Sequence, residues 1–189
     1  MKRILFVTTN KAKIEDAKQK LKSAGIEIVQ SKIKVQELKH PNVRKVVRDK
    51  AKKSFNTIKK SLIVEDSALY IPALGEFPGT QVKKAFGKLS LQDISKLLQG
   101  KKRDVKFVSA LAYADKKEIK VFTHTYSGKF AKTPAGKKTR GWRLFKLFIP
   151  RGSKKTCAEM GDAEFKHVSA KMERGNHYEQ FLNFIKKKT

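Results

Sequence analysis

The stretch Leu62-Ile63-Val64-Glu65-Asp66-Ser67-Ala68-Leu69 decides the fold that we expect for this chain. Its leading apolar residues predict a buried strand, and the carboxylates of Glu65 and Asp66 predict that the strand ends there, at the rim of a sheet. The Gly and Pro residues of segment 73–79 supply turn chemistry, so a loop can fold back over this rim. In open α/β sheets, ligands bind outside the carboxyl ends of the strands. The two acids are therefore either a candidate site for a metal ion or phosphate, or solvated charges at a strand end.

Segments with helical periodicity and segments typical of strands lie on both sides of this stretch, which predicts an α/β protein. Thr8 and Asn10 follow a short apolar strand, and their side chains are suited to capping a helix or contacting a phosphate. A later helix carries Lys50 in its apolar stripe. A lysine there needs a counter-charge, which we expect from Glu65, Asp66 or a bound phosphate, unless the lysine reaches solvent at the helix edge. The predicted elements, in chain order, are a strand at 4–7, a helix that starts after Asn10 and ends at Gly25, a strand at 26–29, a helix opened by Pro41 and Asn42, a helix capped at Ser90, strands at 105–113 and 119–126, a helix at 162–174 and a helix begun at Asn176.

The length of 189 residues is enough for one domain with a full core, or for two small lobes. The longest apolar runs are far shorter than a membrane span, so we expect a cytoplasmic protein with no membrane partner. The single cysteine, Cys157, cannot form an internal disulfide, which fits a reducing compartment. We expect Cys157 to be a small buried hydrophobe rather than a metal ligand.

Net charge is the most unusual property of the composition. The chain has 45 Lys and Arg residues against 17 Asp and Glu residues, which gives a formal net charge of +28. A heat-adapted surface would be rich in Glu as well as Lys, and acids are scarce here. An excess of positive charge indicates a polyanionic partner. Nucleic acid is the partner that this charge favours, because Lys and Arg contacts to phosphate supply most of its non-specific affinity.

Five segments, in order along the chain, carry a resemblance to a known family. The chain resembles the inosine triphosphate pyrophosphatase family, also called the HAM1 family, at residues 7–15, Glu37, residues 64–69, residues 77–79 and residues 152–160. The resemblance implies an α/β fold with a long, curved, mixed sheet flanked by helices, in two lobes around a central cleft. It implies a single domain over 1–189, with one lobe at about 1–100 plus 152–189 and the other at about 101–151. It also implies magnesium-dependent hydrolysis of abnormal purine nucleoside triphosphates to monophosphate and pyrophosphate, by a homodimer.

The resemblance also assigns candidate site residues. Glu37 and Asp66 match carboxylates that bind the metal and activate water, and Lys13 and Lys50 match lysines that contact phosphate. Magnesium prefers a few carboxylate oxygens together with waters and substrate phosphates, and a nearby lysine offsets the charge that develops as the phosphate bond breaks. These four residues are the predicted catalytic set of an active enzyme. The predicted phosphate-side contacts are Thr8, Asn10, Lys13 and Lys50.

The part of the family pattern that binds the purine base is altered in this chain. Where the family has an aromatic residue followed by Asp and Pro, segment 139–150 carries Trp142 without that pair. A Ser-His-Arg triplet of the family corresponds to Ser169, Ala170 and Lys171, so only the serine and a positive charge are kept. Lysine lacks the planar fork of arginine, which weakens bidentate recognition. Trp142, Ser169 and Lys171 are the candidate substrate contacts on the base side.

Two hypotheses follow. In the hypothesis that the sequence favours, the pocket no longer binds a purine and no cofactor is needed. The basic surface instead binds RNA, with a large structured RNA such as ribosomal RNA as the partner. In the alternative, the protein is an active magnesium-dependent pyrophosphatase that hydrolyses ITP, XTP or dITP, with Trp142 stacking on the base. The candidate nucleic-acid contacts are Lys101, Lys102, Arg103, Lys137, Lys138, Arg140, Trp142, Arg143, Arg151, Lys154, Lys155, Lys186, Lys187 and Lys188.

Overall fold

The computed structural model describes residues 2–188, with the side chain of Lys2 left aside. Its strands are β1 Lys2–Val7, β2 Ile26–Ser31, β3 Leu62–Ile71, β4 Phe77–Gly79, β5 Asp104–Ala114, β6 Ile119–Phe130 and β7 Phe148–Pro150. They form one mixed sheet in the order β2-β1-β3-β5-β6-β7, with β4 paired to β3. β1 pairs in parallel with β2 and β3, whereas the β3–β4 and β6–β7 pairs are antiparallel. The predicted α/β class with a mixed sheet flanked by helices is confirmed.

The helices are α1 Lys11–Lys22, α2 Val43–Ile58, α3 Val82–Phe86, α4 Leu91–Lys96, α5 Asp162–Glu173 and α6 His177–Lys188, with short 3-10 helices at Pro72–Leu74 and Arg143–Lys146. Several of them begin where the sequence predicts capping side chains. Asn10 caps α1 by accepting hydrogen bonds from the backbone N–H of Ala12 and Lys13, and Asn42 caps α2 by accepting from the Arg44 N–H. Ser90 and Asp93 form a reciprocal capping box at the start of α4.

The chain divides into two compact units, each with its own core. The first unit comprises residues up to Ser67, Ser109–His124, and residues from Gly175 onward, and the second comprises Ala68–Val108 and Thr125–Arg174. α1, α6 and the strands of the first unit enclose one apolar cluster, and aliphatic and aromatic residues of the second unit form the other. These bounds differ from the lobes predicted at about 1–100 plus 152–189 and about 101–151, because β3, β5 and β6 each pass from one unit into the other.

β3 differs from the prediction in one respect that matters for function. The strand does not end at the acids but continues through Glu65 and Asp66 to Ile71. Its last residues, Leu69 to Ile71, pair with β4, which is the segment that folds back after the predicted Gly and Pro turn. The apolar residues that follow the acids extend the strand, since they are as buried as those that precede them. The prediction of a strand end at Glu65 was therefore wrong.

In the second unit, the thiol of Cys157 is buried and the guanidinium group of Arg103 is hydrogen-bonded. Cys157 is fully buried, as expected, and burial raises the pKa of its thiol to about 12 although Arg140 opposes this effect. Arg103 donates from Nε to the carbonyl oxygen of Phe130 at 2.7 Å. Its two Nη atoms donate to Ser95, Leu98 and Ala131, and the bonds to Ser95 Oγ and the Ala131 carbonyl are 2.6 Å long.

We expect Arg103→Lys to destabilise the protein by about 2 kcal/mol, because lysine cannot supply the planar fork and would leave several half-buried acceptors unpaired. Urea unfolding followed by circular dichroism measures this loss. The exposed neighbour Lys102 offers the control, and Lys102→Ala should change the free energy of unfolding by less than about 0.5 kcal/mol. Equal stability of the two variants would show that the Arg103 bonds contribute nothing.

Within residues 2–188, no helix is both long enough and apolar enough to span a bilayer.

Candidate active site

Glu65 anchors a charged cluster in the first unit. Its carboxylate Oε2 accepts a hydrogen bond of 2.6 Å from the phenol of Tyr178 on α6. Lys13 on α1 donates from Nζ to the Glu65 carbonyl oxygen at 3.1 Å, and the same Nζ lies 3.5 Å from Glu65 Oε1. Glu65 is only 9% exposed, so this pairing satisfies a charge that would otherwise be costly to bury. The result is a lysine held in a fixed place beside the middle of β3.

Asp66 lies next to this pair, and the negative charge of its carboxylate is less well compensated by nearby groups. Burial raises the pKa of its carboxyl, while the charges of Lys13 and Lys50 and the N–H of Ser67 lower it and the charge of Glu37 raises it. The one hydrogen bond to its carboxylate described here comes from the Ser67 backbone N–H, at 2.8 Å to Oδ1. Because the net effect is a raised pKa, the ionised form of Asp66 has room for a further positive charge.

Lys50 and Glu37 form the second pair of the cluster. Lys50 Nζ lies 2.7 Å from Glu37 Oε1, with the lysine side chain 16% exposed and the glutamate side chain 60% exposed. The predicted counter-charge of Lys50 was Glu65, Asp66 or a phosphate, and the ion pair found here is with Glu37 instead. Lys53 on the same helix donates to the Gln36 carbonyl oxygen at 3.0 Å. α2 thus holds the backbone and the side chain of the segment that carries Glu37.

Thr8 and Asn10 shape the turn between β1 and α1. Thr8 Oγ1 accepts a hydrogen bond of 3.1 Å from the Asn10 N–H, and Gln30 on β2 donates to the Thr8 carbonyl oxygen at 2.9 Å. The Asn10 side-chain oxygen caps α1. Both residues therefore fix the start of the helix that carries Lys13. A phosphate contact of either side chain stays a prediction.

A metal ion fits this cluster only with ligands from outside the protein. Among residues 2–188, no three His, Cys, Asp or Glu side chains are grouped as a metal site. Asp66 and Glu37 are nevertheless within electrostatic range of each other, since Glu37 raises the pKa of Asp66. Magnesium is commonly bound by one or two carboxylates and completes its shell with waters and substrate phosphates. The donor set on the chain fits that cation better than one that needs a closed protein cage.

The base-side residues predicted from the sequence all lie in the second unit. The ring of the half-buried Trp142 packs against Phe107 at 4.9 Å, Phe145 at 5.0 Å and Phe148 at 6.4 Å between ring centroids. Ser169 Oγ donates to the Lys166 carbonyl oxygen one helical turn earlier, at 3.1 Å. Lys171 is exposed and lines a cleft in this unit. Trp142 is therefore part of an aromatic cluster, and base stacking by its ring stays a prediction.

Six of the cations predicted to bind nucleic acid have partners within the protein. Arg140 donates to the carbonyl oxygens of Cys157 at 2.7 Å and Met160 at 2.9 Å, to Asp162, and lies 4.1 Å from the Phe165 ring. These contacts organise the loop that carries Trp142. The other five, with their partners, are Arg103 as described above, Lys138 with Asp162, Arg143 with the Leu89 carbonyl oxygen, Lys155 with Glu164, and Lys188 with Asp115 and Glu118.

The remaining predicted cations are exposed. They form no single stripe along one element, but lie on loops of the second unit and on the last turn of α6. They are Lys101, Lys102, Lys137, Arg151, Lys154, Lys186 and Lys187. Exposed lysines and arginines are the ordinary state of these residue types, so their exposure alone does not indicate a nucleic-acid surface.

Tyr178 is the site residue whose polar role the sequence did not indicate. Its position on the core face of α6 predicted a packing residue, and it is buried as expected. Its hydroxyl, however, donates to Glu65 from an element far away in the sequence. The one available signal was a tyrosine rather than a phenylalanine at a buried position, because a buried phenol usually requires a hydrogen-bond partner.

The mixed sheet with flanking helices, and the carboxylates of β3 beside lysines of α1 and α2, define an α/β protein with a charged cluster suited to phosphate groups. The chain belongs to the Ham1 family, whose model matches residues 4–183. This confirms the family predicted from the sequence segments.

Known relatives agree over nearly the whole chain. A dITP/XTP pyrophosphatase of Thermococcus kodakarensis is 34% identical, with 97% of each chain covered. A dITP/XTP pyrophosphatase of Hyperthermus butylicus is 35% identical over 85% of this chain and 84% of its own. The structure of a HAM1 protein from Coxiella burnetii superposes with a TM-score of 0.83 at 20% identity, covering 99% of this chain and 100% of its own, which supports the fold.

Proposed function

We propose that this protein is a nucleoside-triphosphate pyrophosphatase that acts on abnormal purine nucleotides such as dITP and XTP. This was the alternative hypothesis from the sequence. The observation that carries it is the cluster around Asp66, in which a half-buried carboxylate of raised pKa is surrounded by Lys13, Lys50 and Glu37. The names of the relatives support the same activity.

Each residue of the cluster has a distinct role in this proposal. Lys13, held by Glu65, and Lys50, held by Glu37, bind the phosphates and offset the negative charge that develops on them. Asp66 and Glu37 would hold magnesium, and the metal would supply the Lewis acid that polarises the phosphoryl oxygens. Asp66 would also be the carboxylate that accepts the proton of the attacking water.

The overall reaction consumes one water. The bond between the α- and β-phosphates breaks, the water oxygen forms the new bond to phosphorus, and its proton is taken up by Asp66. Pyrophosphate leaves, and a nucleoside monophosphate remains. No oxidant, reductant or second substrate is required.

We expect the purified protein to release pyrophosphate from dITP and XTP in the presence of magnesium, and to lose this activity when the metal is removed with EDTA. The metal supplies the Lewis acid, so its removal should reduce the rate to background, and added magnesium should restore it. A coupled assay for pyrophosphate measures the rate. ATP and GTP serve as comparison substrates, and absence of release from every triphosphate would overturn the proposal.

RNA binding has less support than the enzyme. The net charge of +28 is the property that favours RNA. However, six of the predicted contacts have partners inside the protein, and the relatives described above are named for nucleotide hydrolysis. Titration with duplex RNA over a range of salt concentrations tests this hypothesis, because neutralising many phosphates produces a steep loss of affinity with salt. A flat salt response would leave the surface charge without an RNA partner.

A further inference from the structure

The hydroxyl of Tyr178 is a buried polar group that the proposed reaction leaves without a role. Tyr178 is 1% exposed and lies in the apolar cluster of the first unit, where a phenylalanine ring would pack equally well. A buried phenol requires a hydrogen-bond partner. The partner of this phenol is Glu65 Oε2, at 2.6 Å, and Glu65 is the residue that holds Lys13. The hydroxyl therefore connects the core of the first unit to the charged cluster.

The two carboxylate oxygens of Glu65 face different partners. Oε2 accepts the bond from Tyr178, whereas Oε1 lies 3.5 Å from Lys13 Nζ. The last torsion of a glutamate side chain has only weak intrinsic preferences, so its carboxylate turns easily unless a partner fixes it. A short bond from a buried phenol to one oxygen fixes the plane of the group. The other oxygen is thereby kept in place for Lys13.

Lys13 is held by Glu65 alone, through two oxygens of that residue. Its Nζ donates to the Glu65 carbonyl oxygen at 3.1 Å and faces the carboxylate Oε1. An ammonium group has three N–H donors, so at least one stays available for a phosphate oxygen. The Lys13 side chain is 22% exposed, which gives a ligand access to it. The direction of the available N–H depends on where Glu65 places the other two.

Tyr178 is itself fixed by its neighbours at the start of α6. The Asn176 side chain accepts a hydrogen bond of 2.9 Å from the Tyr178 N–H as it caps the helix. The His177 ring lies 4.6 Å from the Tyr178 ring between centroids, and Lys20 Nζ lies 5.4 Å from the Tyr178 ring centroid. All these residues belong to the first unit. The phenol oxygen thus has one well-defined position from which it meets Glu65.

We propose that Tyr178 is a positioning residue of the pyrophosphatase, whose phenol orients Glu65 so that Glu65 places Lys13 against the substrate phosphates. This inference rests on the proposed function. The effect should fall on kcat more than on KM. A lysine still attracts a triphosphate after a small displacement, whereas stabilising the charge of the transition state requires exact placement.

Tyr178→Phe tests the inference because it removes the hydroxyl and keeps the ring that packs in the core. We expect kcat for pyrophosphate release from XTP with magnesium to fall at least about tenfold, since the lost bond is one to a charged group. KM should change by less than about threefold. A rise in KM with kcat unchanged would contradict the placement of Lys13 by Tyr178.

The matched control is Tyr113→Phe. Tyr113 is a buried tyrosine of the same unit whose phenol also donates to a carboxylate, Asp115, at 3.0 Å. That carboxylate pairs with Lys188, which is not a residue of the proposed site. Tyr113→Phe should alter kcat by less than about twofold. Equal losses of kcat in the two variants would mean a general effect of removing a buried phenol and would overturn the inference.

A double-mutant cycle with Lys13→Gln shows whether Tyr178 acts through Lys13. If it does, adding Tyr178→Phe to Lys13→Gln should lower kcat by less than about a further twofold. Losses that multiply would overturn the inference, because a purely structural effect of Tyr178 persists when the lysine is absent.

Urea unfolding of the same four proteins gives a readout that does not require activity. The two single effects on the unfolding constant should not multiply in the double variant, since both residues act on Glu65. Effects that multiply would show that Tyr178 does not hold Lys13. If the wild type releases pyrophosphate from no triphosphate, the proposed function fails, and the unfolding cycle still decides whether Tyr178 positions Lys13.

Discussion

Replacing Asp66 with asparagine is expected to lower kcat/KM for pyrophosphate release from XTP by about 10²- to 10⁴-fold, the range typical for the loss of a catalytic proton acceptor. Asparagine has the same shape but accepts no proton and offers no negative charge to a cation. The side-chain oxygen can still accept the hydrogen bond of 2.8 Å from the Ser67 N–H, so the local backbone should be kept. A steady-state assay of pyrophosphate release measures the change.

The same variant should be at least as stable as the wild type at neutral pH. Burial raises the pKa of Asp66 above its unfolded value, so the ionised carboxylate costs folding free energy once the pH exceeds the unfolded pKa of 3.8. Asparagine removes that cost. Lower activity together with equal or higher stability is the pattern of a residue kept for function.

The control for Asp66→Asn is Asp104→Asn, which changes an exposed carboxylate at the start of β5. We expect it to alter kcat/KM by less than about twofold. Retention of more than about a tenth of the wild-type kcat/KM by Asp66→Asn would exclude Asp66 as the water-activating group.

Much of the fold could be predicted because its determinants are local. Asn10, Asn42, Ser90 and Asn176 each precede an apolar periodic segment, and each caps a helix in the structure. A capping side chain acts on backbone N–H groups two or three residues away, so its effect is visible in a short window of sequence. The strands were likewise marked by short apolar segments.

Contacts between distant segments could not be predicted in the same way. The acids of β3 suggested a strand end because an adjacent pair of charges usually lies at a rim, but Tyr178 and Lys13 supply partners for Glu65 from two helices. Lys50 acts on the charge of Asp66, as expected, but its direct ion pair with Glu37 was not predicted. Glu37 lies on a segment with no regular element, and nothing in its local pattern indicates where that segment lies in space.

The same reason explains why charge misled the choice of function. Net charge sums over all residues and cannot tell an exposed lysine from a paired arginine. Arg103 and Arg140 add two charges to the total, yet both donate to backbone carbonyl oxygens within the second unit. The four charged residues predicted for catalysis, by contrast, lie in one unit and influence one another. Spatial grouping therefore supports the enzyme where composition favoured RNA.

Acidification is expected to destabilise the protein through His177, the first residue of α6. This side chain is 3% exposed, and neither ring nitrogen has a hydrogen-bond partner among residues 2–188. Burial lowers its pKa from 6.5 to about 3, and the charges of Lys20, His124 and Lys13 act in the same direction. The imidazole is thus neutral in the folded protein and takes up a proton in the unfolded chain below pH 6.5.

The unfolded state therefore binds more protons than the folded state below pH 6.5, and stability falls as the pH falls. The full difference between 6.5 and about 3 corresponds to about 5 kcal/mol at about 1.4 kcal/mol per pH unit. From about pH 6.5 to about pH 4.5 the loss should reach about 2 kcal/mol. This window lies above the region in which Asp115, with a pKa lowered to about 2, contributes its own loss.

His177→Phe should abolish this part of the pH dependence. Phenylalanine has a similar ring, can keep the contact with the Tyr178 ring at 4.6 Å between centroids, and carries no nitrogen that must go unpaired. Urea unfolding at several pH values should show a curve flatter by about 2 kcal/mol between about pH 6.5 and about pH 4.5. His167→Phe, at an exposed position of α5, should keep the wild-type slope. If the two variants show the same dependence as the wild type, the acid sensitivity of the fold must arise from carboxylates, and His177 is then a packing residue only.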